Sequence, residues 1–254
     1  MSVIGVISMK GGVGKTTLTA NLAAALAAKL GPQSVTVVDL DPQNAVHLHL
    51  GVDDSEVRGV CGASVQDQNW RKTLLSSEHG VQCLPYGAVS EAEREDFENL
   101  LLEDPHWVGD QIRAAKLGRG GVVLIDTPPG PSVYLKQVFD CADMVMMVLL
   151  ADAASYATVP AMETWLQEQA EQYPQLRSVY VLNQLDRSDV LNRDVANLLY
   201  QRLEKRLTPV HVHGDEAVRE ALAFQEPVLV YDPHGQASHD LARLADWLIE
   251  TLSA

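Results

Sequence analysis

Two lysines stand five positions apart around a run of glycines near the start of the chain, in "SMKGGVGKTTLTANL" at residues 8–22. The general phosphate-binding pattern is G-x-x-x-x-G-K-[ST], and Gly14, Lys15 and Thr16 fit its second half. Met9 stands where the pattern has its first glycine. An apolar run precedes the stretch and an Ala/Leu-rich run follows it, which is the strand–loop–helix context that such a loop requires. The stretch therefore predicts a loop that binds nucleotide phosphates.

Each residue type in this loop has a physical reason. Gly11, Gly12 and Gly14 allow the backbone to turn tightly and to direct its N–H groups at phosphate oxygens. The helix predicted to begin near Lys15 adds the positive end of its dipole. The Lys15 ammonium can neutralise the β- and γ-phosphates, and the Thr16 hydroxyl can ligate Mg²⁺. A nucleoside triphosphate and Mg²⁺ are therefore the expected ligands.

Three aspartates stand at the ends of two other apolar runs. Asp126 ends "VVLID", as an aspartate does that holds the metal through water in nucleotide hydrolases. Asp39 and Asp41 end "VTVVDLD", where a carboxylate can orient the attacking water. Because catalytic groups gather at the C-terminal edge of a doubly wound sheet, we expect all three at that edge. The alternative is that they only cap the ends of strands.

Apolar runs alternate with helical patterns along the chain. Strands are predicted at residues 2–8, 34–41, 81–87, 120–130, 143–151, 178–186 and 227–232. Helices are predicted between them, among others at 15–30, at 90–103 behind a Ser-x-x-Glu capping box, and in the tail from 240. Continuous apolar strands that alternate with helices predict an α/β fold, with a doubly wound, mostly parallel sheet and helices on both faces. We find no linker or repeat, so residues 1–254 are predicted to form a single domain with an acidic, elaborated region around 51–118.

Composition excludes several classes of protein. The chain is 46% hydrophobic and 21% charged, as ordinary globular proteins are. Its longest apolar runs fall far short of the roughly 18 residues of a membrane span, and its N-terminus lacks the basic segment of a signal peptide. Three cysteines without a C-x-x-C pair argue against a zinc or iron–sulfur site. We therefore expect a cytoplasmic protein.

The net charge of −15 bears on the choice of partners. Residues 51–110 contain thirteen acidic and only four basic residues. A protein that holds DNA by neutralising phosphates usually carries a basic stripe, so DNA is not an expected partner. The acidic segment is a candidate partner-facing surface, although a merely solvated face would have the same composition.

Several segments, in the same order along the chain, resemble the ParA/MinD family of P-loop ATPases, also called the SIMIBI class. "KGGVGKTT" is similar to the deviant Walker A motif of that family. "VVDLDPQ" at 37–43 resembles its switch I and "VLIDTPPG" at 123–130 its switch II. "VLNQLD" at 181–186 and "DEAVREALAFQEPV" at 215–228 extend the likeness over nearly the whole chain. The resemblance implies an ATPase with slow turnover that uses Mg²⁺.

The same resemblance implies a role for the extra lysine, Lys10. Family members dimerise face to face with two ATP molecules between them, and this signature lysine reaches the phosphates held by the partner. The chain is therefore expected to form a homodimer that sandwiches two ATP molecules. Lys15 would act within its own subunit and Lys10 across the dimer, while Asp41 would align the attacking water.

Further roles are implied by matching positions. Asp39 would support the Mg²⁺ shell beside Thr16 and Asp126. Val13 and Thr17 belong to the loop that would surround the phosphates.

Two other segments would contact the base. Asn183 in "VLNQ" matches the asparagine that reads the adenine edge. A second adenine-contacting loop would include Asp215 and His213, and His213 stands where the family often has a proline.

Shorter motifs indicate a branch of the family. "LPYG" at 84–87, the acidic helix after it and the histidine before "DEA" look like the cellulose-synthesis members, the BcsQ group. This resemblance implies an accessory of the bacterial cellulose secretion machinery. Its partners would be the small BcsR subunit, BcsE and the cytoplasmic side of the membrane-bound synthase, which could recruit it to the inner membrane.

The nearest alternative is a partition ATPase that binds DNA through basic residues. Arg202, Lys205 and Arg206 are the best candidates on one helical face, but a small solvated face explains them better, since a few basic residues seldom outweigh a net charge of −15. A MinD-like membrane binder would end in a basic amphipathic helix, whereas the tail here is acidic, so direct membrane binding is not expected. A metabolic ligase on the same scaffold and a scaffold that binds ATP with little hydrolysis also stay open.

Overall fold

The predicted strands pair into one sheet, except for the last of them. The structure is a computed structural model and describes residues 1–53, 58–118 and 120–253. In these residues the sheet has seven strands: β1 Ser2–Ile7, β2 Val35–Asp39, β3 Leu75–Ser76, β4 Val81–Leu84, β5 Val122–Asp126, β6 Met144–Leu150 and β7 Arg177–Asn183. Their order across the sheet is β3-β4-β2-β5-β1-β6-β7. All neighbours run parallel except β3 and β4.

Helices cover both faces of this sheet. In the described chain they are α1 Lys15–Leu30, α2 Val46–His49, α3 Gly59–Val65, α4 Glu91–Glu103, α5 Trp107–Ala114, α6 Val133–Cys141, α7 Ala153–Gln172, α8 Val190–Leu203, α9 Glu216–Ala223, α10 Val228–Tyr231 and α11 Gln236–Ser253. Along β1 the side chains alternate between two apolar cores. Val3 and Ile7 join the core under α3 to α8, whereas Ile4 and Val6 join the core under α1, α2 and α9 to α11. The predicted doubly wound α/β fold is confirmed.

Helix α1 has the predicted bounds. Ala and Leu dominate its sequence and favour a helix. It ends at Gly31, whose φ of 96° suits glycine, and Pro32 follows. Because β2 and β5 lie beside each other in register, Asp39 pairs with Asp126 at the C-terminal edge. The loop between β1 and α1 opens at this same edge.

The prediction of a strand at 227–232 is wrong, since α10 occupies this segment. The amides of Val230 and Tyr231 donate to the carbonyl of Pro227 and close a helical turn. The amide of Val228 donates to Oδ1 of Asn21 in α1, at 2.7 Å. The segment packs against α1 and α11 rather than beside a sheet edge. Val228 is therefore buried under helices, Leu229 and Tyr231 pack partly against the same core, and Val230 is exposed, without any strand pairing.

The predicted acidic region around 51–118 contains α3, β3, β4, α4 and α5. Residues 54–57 of that region lie outside the described residues. Ser90 and Glu93 form the predicted capping box at the start of α4. In the part of the chain that the structure describes, no helix combines the length and the apolar character needed to cross a membrane.

Candidate nucleotide site

The glycine-rich loop connects the end of β1 to the start of α1. Gly12 and Gly14 have φ angles of 77° and 78°, in the left-handed region that favours glycine. A Cβ on Gly14 would lie 2.6 Å from Nδ2 of Asn183, so a larger residue would push the loop away. Gly14 caps α1 and has no side chain that could accept from the first N–H groups of the helix. Such N–H groups bind anions at helix N-termini.

Three donors from α1 converge on the carboxylate of Asp126 at the end of β5. Lys15 Nζ lies 3.2 Å from Oδ1, and Thr16 Oγ1 lies 2.7 Å from Oδ2. Thr19 Oγ1 lies 3.0 Å from Oδ1. Lys15 Nζ also lies 3.9 Å from Oδ2 of Asp41. Lys15 is buried, and these two carboxylates are the counter-charges that its ammonium requires there.

The switch I loop is held by Asp39. Its Oδ1 accepts from the amide of Asp41 at 2.9 Å, and its Oδ2 accepts from the amide of Val46 at 3.1 Å. Asp41 in turn accepts from the amide of Gln43 through Oδ1. Both oxygens of Asp39 are thus engaged with the backbone, and its role in a metal shell stays a prediction.

Both buried carboxyl groups at the strand ends have raised pKa values. Burial, followed by the charge of Asp126, raises the pKa of Asp39 well above its ordinary value. Burial also raises the pKa of Asp126, and the Lys15 charge and the hydrogen bond from Thr16 oppose that rise. A carboxylate away from water is costly to keep charged unless a cation lies close to it. The Lys15 ammonium, 3.2 Å from Oδ1 of Asp126, is the cation that stabilises the charged form of this carboxylate.

Lys10 lies at the rim of the loop and pairs with Asp152 of its own chain. Its Nζ is 3.0 Å from Oδ2, and the two side chains are 41% and 36% exposed. Asp152 follows β6 and caps α7, because its Oδ1 accepts from the amide of Ser155. In this chain Lys10 is thus held in an exposed ion pair.

Two clefts meet at the loop. One, of about 300 Å³, is lined by the predicted phosphate-contacting residues from Lys10 to Thr17, together with Asp41 and Gln43. The other, of about 200 Å³, lies beyond Gly14 and Thr17, which line both. Its walls include the apolar residues Leu18, Val212, Val218, Leu222 and Leu241. The pair of clefts offers a polar place for phosphates next to an apolar place for a base.

All three predicted adenine-contacting residues line the apolar cleft. Asn183 donates from Nδ2 to the carbonyl of Val13 at 2.9 Å, so its Oδ1 is the group that could accept from the amino group of adenine. His213 places Nδ1 2.7 Å from Oδ2 of Asp240. Asp215 accepts from two backbone amides, at the starts of α9 and α11. These bonds hold the loop in place, and the base contacts of His213 and Asp215 stay predictions.

The residues present fit a nucleoside triphosphate with Mg²⁺. The cleft of about 300 Å³ that Gly11, Gly12 and Thr16 help to line has room for phosphates. The Thr16 hydroxyl and the Asp126 carboxylate are oxygen donors of the kind that Mg²⁺ prefers.

Sequence reasoning missed Thr19 and Asp152. Thr19 stands four positions after Lys15 and three after Thr16, a spacing that puts all three on one side of α1. Asp152 comes shortly after a buried strand, as Asp41 does. Both signals were available in the sequence.

Two solved structures share this fold. The septum site-determining protein MinD complexed with Mg-ADP, from Pyrococcus horikoshii OT3, has a TM-score of 0.78 at 22% identity, covering 100% of this chain and 97% of that one. Cobyrinic acid a,c-diamide synthase from Mycobacterium smegmatis, with bound ATP analog and magnesium, has a TM-score of 0.78 at 21% identity, covering 100% and 96%. At such identities the likeness establishes the fold alone.

Comparison with known sequences shows the family as well as the fold. The cellulose biosynthesis protein BcsQ of Salmonella typhimurium is 30% identical over 253 residues, covering 98% of this chain and 94% of that protein. A family model described as "Cellulose biosynthesis protein BcsQ" matches residues 1–249. The resemblance to the ParA/MinD family and to its BcsQ group is thereby confirmed, and the chain belongs to the BcsQ family of cellulose biosynthesis proteins.

Proposed function

We propose that the chain is an ATP-dependent switch, in which ATP closes a homodimer and hydrolysis reopens it, and that it serves bacterial cellulose synthesis. The observation that carries the ATPase part is the convergence of Lys15 and Thr16 on Asp126 at the mouth of the two joined clefts. This cluster supplies a cation for phosphates and oxygen ligands for Mg²⁺ beside an apolar slot for a base. Membership of the BcsQ family supports the link to cellulose.

Each side chain of the cluster would have a separate role in hydrolysis. Lys15 would exchange Asp126 for the β- and γ-phosphates, and Thr16 and Asp126 would hold Mg²⁺, Asp126 through water. Bound Mg²⁺ would neutralise part of the phosphate charge. Asp41 is anchored to the switch I backbone through Oδ1, and its Oδ2 faces Lys15. That oxygen would accept a hydrogen bond from the attacking water and align it with the γ-phosphate.

Lys10 would act on the nucleotide of the other subunit. Its pair with Asp152 is exposed, and such pairs contribute only about 0.2–1 kcal/mol. A triphosphate in a closed interface, where water is excluded, attracts an ammonium more strongly. A cation that arrives in trans accelerates related hydrolases by about 10³–10⁵. ATP binding and dimer closure would therefore be coupled through Lys10.

The closed dimer would present a docking surface, so that ATP acts as a signal for assembly. The proposed partners are BcsR, BcsE and the cytoplasmic side of the cellulose synthase. The protein itself would be cytoplasmic and would reach the inner membrane through these partners. The acidic segment 51–110 is the proposed partner-facing surface.

A matched pair of lysine variants tests this function. Lys15→Ala is expected to abolish binding of a fluorescent ATP analogue, because the phosphates lose their cation. Lys29→Ala is the control, since Lys29 belongs to the same helix but pairs with Asp246 at 2.7 Å. In a strain that lacks the gene, Lys29→Ala should restore cellulose output and Lys15→Ala should not. Normal cellulose output with Lys15→Ala would overturn the proposal.

The alternative of a DNA-partition ATPase gains no support from the surface. Arg202, near the end of α8, and Arg206, in the turn that follows this helix, both pair with Glu163, so these two basic residues are partly neutralised. A filter-binding assay with ATP at low salt checks this, and tight DNA binding would favour partition.

The tail likewise fails to resemble a membrane anchor. Leu241, Leu244 and Leu248 of α11 are buried in the core that includes α1. ATP-dependent pelleting with anionic liposomes, in the absence of partners, would contradict this reading.

A further inference from the structure

Thr19 is a buried hydroxyl beside the cluster. It lies one helical turn after Lys15 in α1 and has no exposed surface. Its Oγ1 is 2.9 Å from the carbonyl oxygen of Lys15 and 3.0 Å from Oδ1 of Asp126. A threonine in a helix commonly bonds only the carbonyl four residues before it. Thr19 also contacts a carboxylate at the end of β5, and this second hydrogen bond needs a physical explanation.

A hydroxyl carries one proton, so Thr19 can donate fully to only one of these two acceptors. Hydrogen bonds to a charged acceptor are about twice as strong as those between neutral groups. The ionised carboxylate of Asp126 therefore takes the proton in preference to the backbone carbonyl. The carbonyl of Lys15 also serves as an acceptor in the helix, so it is less dependent on Thr19.

Nucleotide binding would change which side chains donate hydrogen bonds to Asp126. In the structure Asp126 accepts from Lys15, Thr16 and Thr19. Of these donors, Lys15 would turn to the phosphates and Thr16 to Mg²⁺. Thr19 faces the carboxylate from inside the protein and would have no such alternative.

We propose that Thr19 is a positioning residue that holds the Asp126 carboxylate in place when Lys15 and Thr16 turn to Mg·nucleotide. This inference rests on the proposed function and adds a residue to it. Groups that orient a metal-binding carboxylate typically change metal affinity by about 10–100-fold when they are removed. Thr19 thus sets how strongly Mg²⁺ tightens nucleotide binding, and contributes little to binding in the absence of Mg²⁺.

The test is calorimetric titration of the full chain with ADP, in Mg²⁺ and in EDTA, which needs neither turnover nor dimer closure. Thr19→Val keeps the shape of the side chain and removes the hydroxyl. We expect it to reduce the Mg²⁺-dependent gain in ADP affinity at least about tenfold, with ADP affinity in EDTA within about threefold of wild type. Thr19→Ser restores the hydroxyl and is expected to restore the gain.

Thr36→Val controls for loss of a buried threonine hydroxyl. Thr36 is also fully buried, but it lies in β2 and bonds Gln82 and the amide of Gly118. We expect thermal stability to fall in this variant while the Mg²⁺-dependent gain stays at the wild-type value. An unchanged gain with Thr19→Val, or a failure of Thr19→Ser to restore it, would overturn the inference about Thr19. If wild type itself bound no ADP or gained nothing from Mg²⁺, the proposed function would fail instead.

Discussion

Replacing Asp152 by asparagine is expected to tighten the ATP-dependent dimer. Asp152 holds Lys10 within the same subunit at 3.0 Å, whereas the proposed switch needs Lys10 on the partner's phosphates. Partial burial tends to raise the pKa of Asp152, but the bonds from Ser155 and Lys10 lower it below its ordinary value. The group is therefore a charged competitor for Lys10 near neutral pH. Asparagine removes that charge and keeps an oxygen for the cap of α7, where the two residues are equally favoured.

The change in the dimer dissociation constant can be derived from the exposure of the Lys10–Asp152 ion pair. Two unit charges 3.0 Å apart attract by about 1.4 kcal/mol in bulk water. Exposed pairs retain about 0.2–1 kcal/mol of this after side-chain ordering and screening. Since a dimer releases two such pairs, the gain is about 0.4–2 kcal/mol, or a dissociation constant about two- to thirtyfold lower. High salt screens the pair and reduces the difference.

Sedimentation over a range of protein concentrations, with Mg²⁺ and a slowly hydrolysed ATP analogue, measures this constant. Asp189→Asn is the matched control, because Asp189 caps α8 through the amides of Leu191 and Asn192. We expect no tightening in the control. A dimer of Asp152→Asn that is no tighter than wild type would refute the idea that Asp152 competes for Lys10.

Three further predictions test other parts of the site and the fold. Asp41→Ala should lower ATP turnover by at least about a hundredfold, because the water loses its acceptor, and should leave an ATP-bound dimer visible by sedimentation; wild-type turnover would contradict this. Asn183→Ala should weaken ATP binding about three- to tenfold and reduce the preference for ATP over GTP in competition assays, and an unchanged preference would count against its role. Burial, helped by the nearby His47, lowers the pKa of His49 to about 4, so below pH 6.5 the unfolded chain binds a proton that the folded chain does not. His49 alone should therefore lower the free energy of unfolding by about 2 kcal/mol between pH 7 and pH 5. Urea unfolding at both pH values should show a fall that is smaller by about this amount in His49→Leu than in wild type, and an equal fall in both would disprove the reasoning.

The fold was predictable where an element could be recognised from local pattern alone. The bounds of α1 agree because Ala and Leu fill the helix and Gly31–Pro32 ends it. Residues 227–232 show the limit of such reasoning, because an apolar run has the same pattern in a strand and in a turn of helix covered by α1 and α11. Strand order and the antiparallel β3 depend on contacts between distant segments. A two-residue strand such as β3 leaves no pattern that could be recognised.

In the site, too, some features follow from local sequence pattern and others depend on contacts between distant residues. Gly14, Lys15 and Thr16 were recognisable because phosphate chemistry dictates their types and spacing. The placement of Asp39 and Asp126 at one sheet edge also followed, because the C-terminal ends of neighbouring parallel strands meet there. The engagement of both Asp39 oxygens with backbone amides depends on the path of the switch I loop, which spacing does not determine. The contact of Lys10 with Asp152 is of the same kind, since it joins residues from different strand ends.

The central claim, that Lys10 acts across the dimer, is tested most directly by mixing two inactive variants. In a mixed dimer of Lys10→Ala with Asp41→Ala, the site of the first subunit retains Asp41 and receives Lys10 from the second. At equal amounts about half of the dimers are mixed and each has one complete site of two, so the account predicts up to about a quarter of wild-type ATP turnover. Energy transfer between labelled subunits verifies in the same sample that mixed dimers form. Turnover no higher than the sum of the separate variants, with mixed dimers present, would contradict the account.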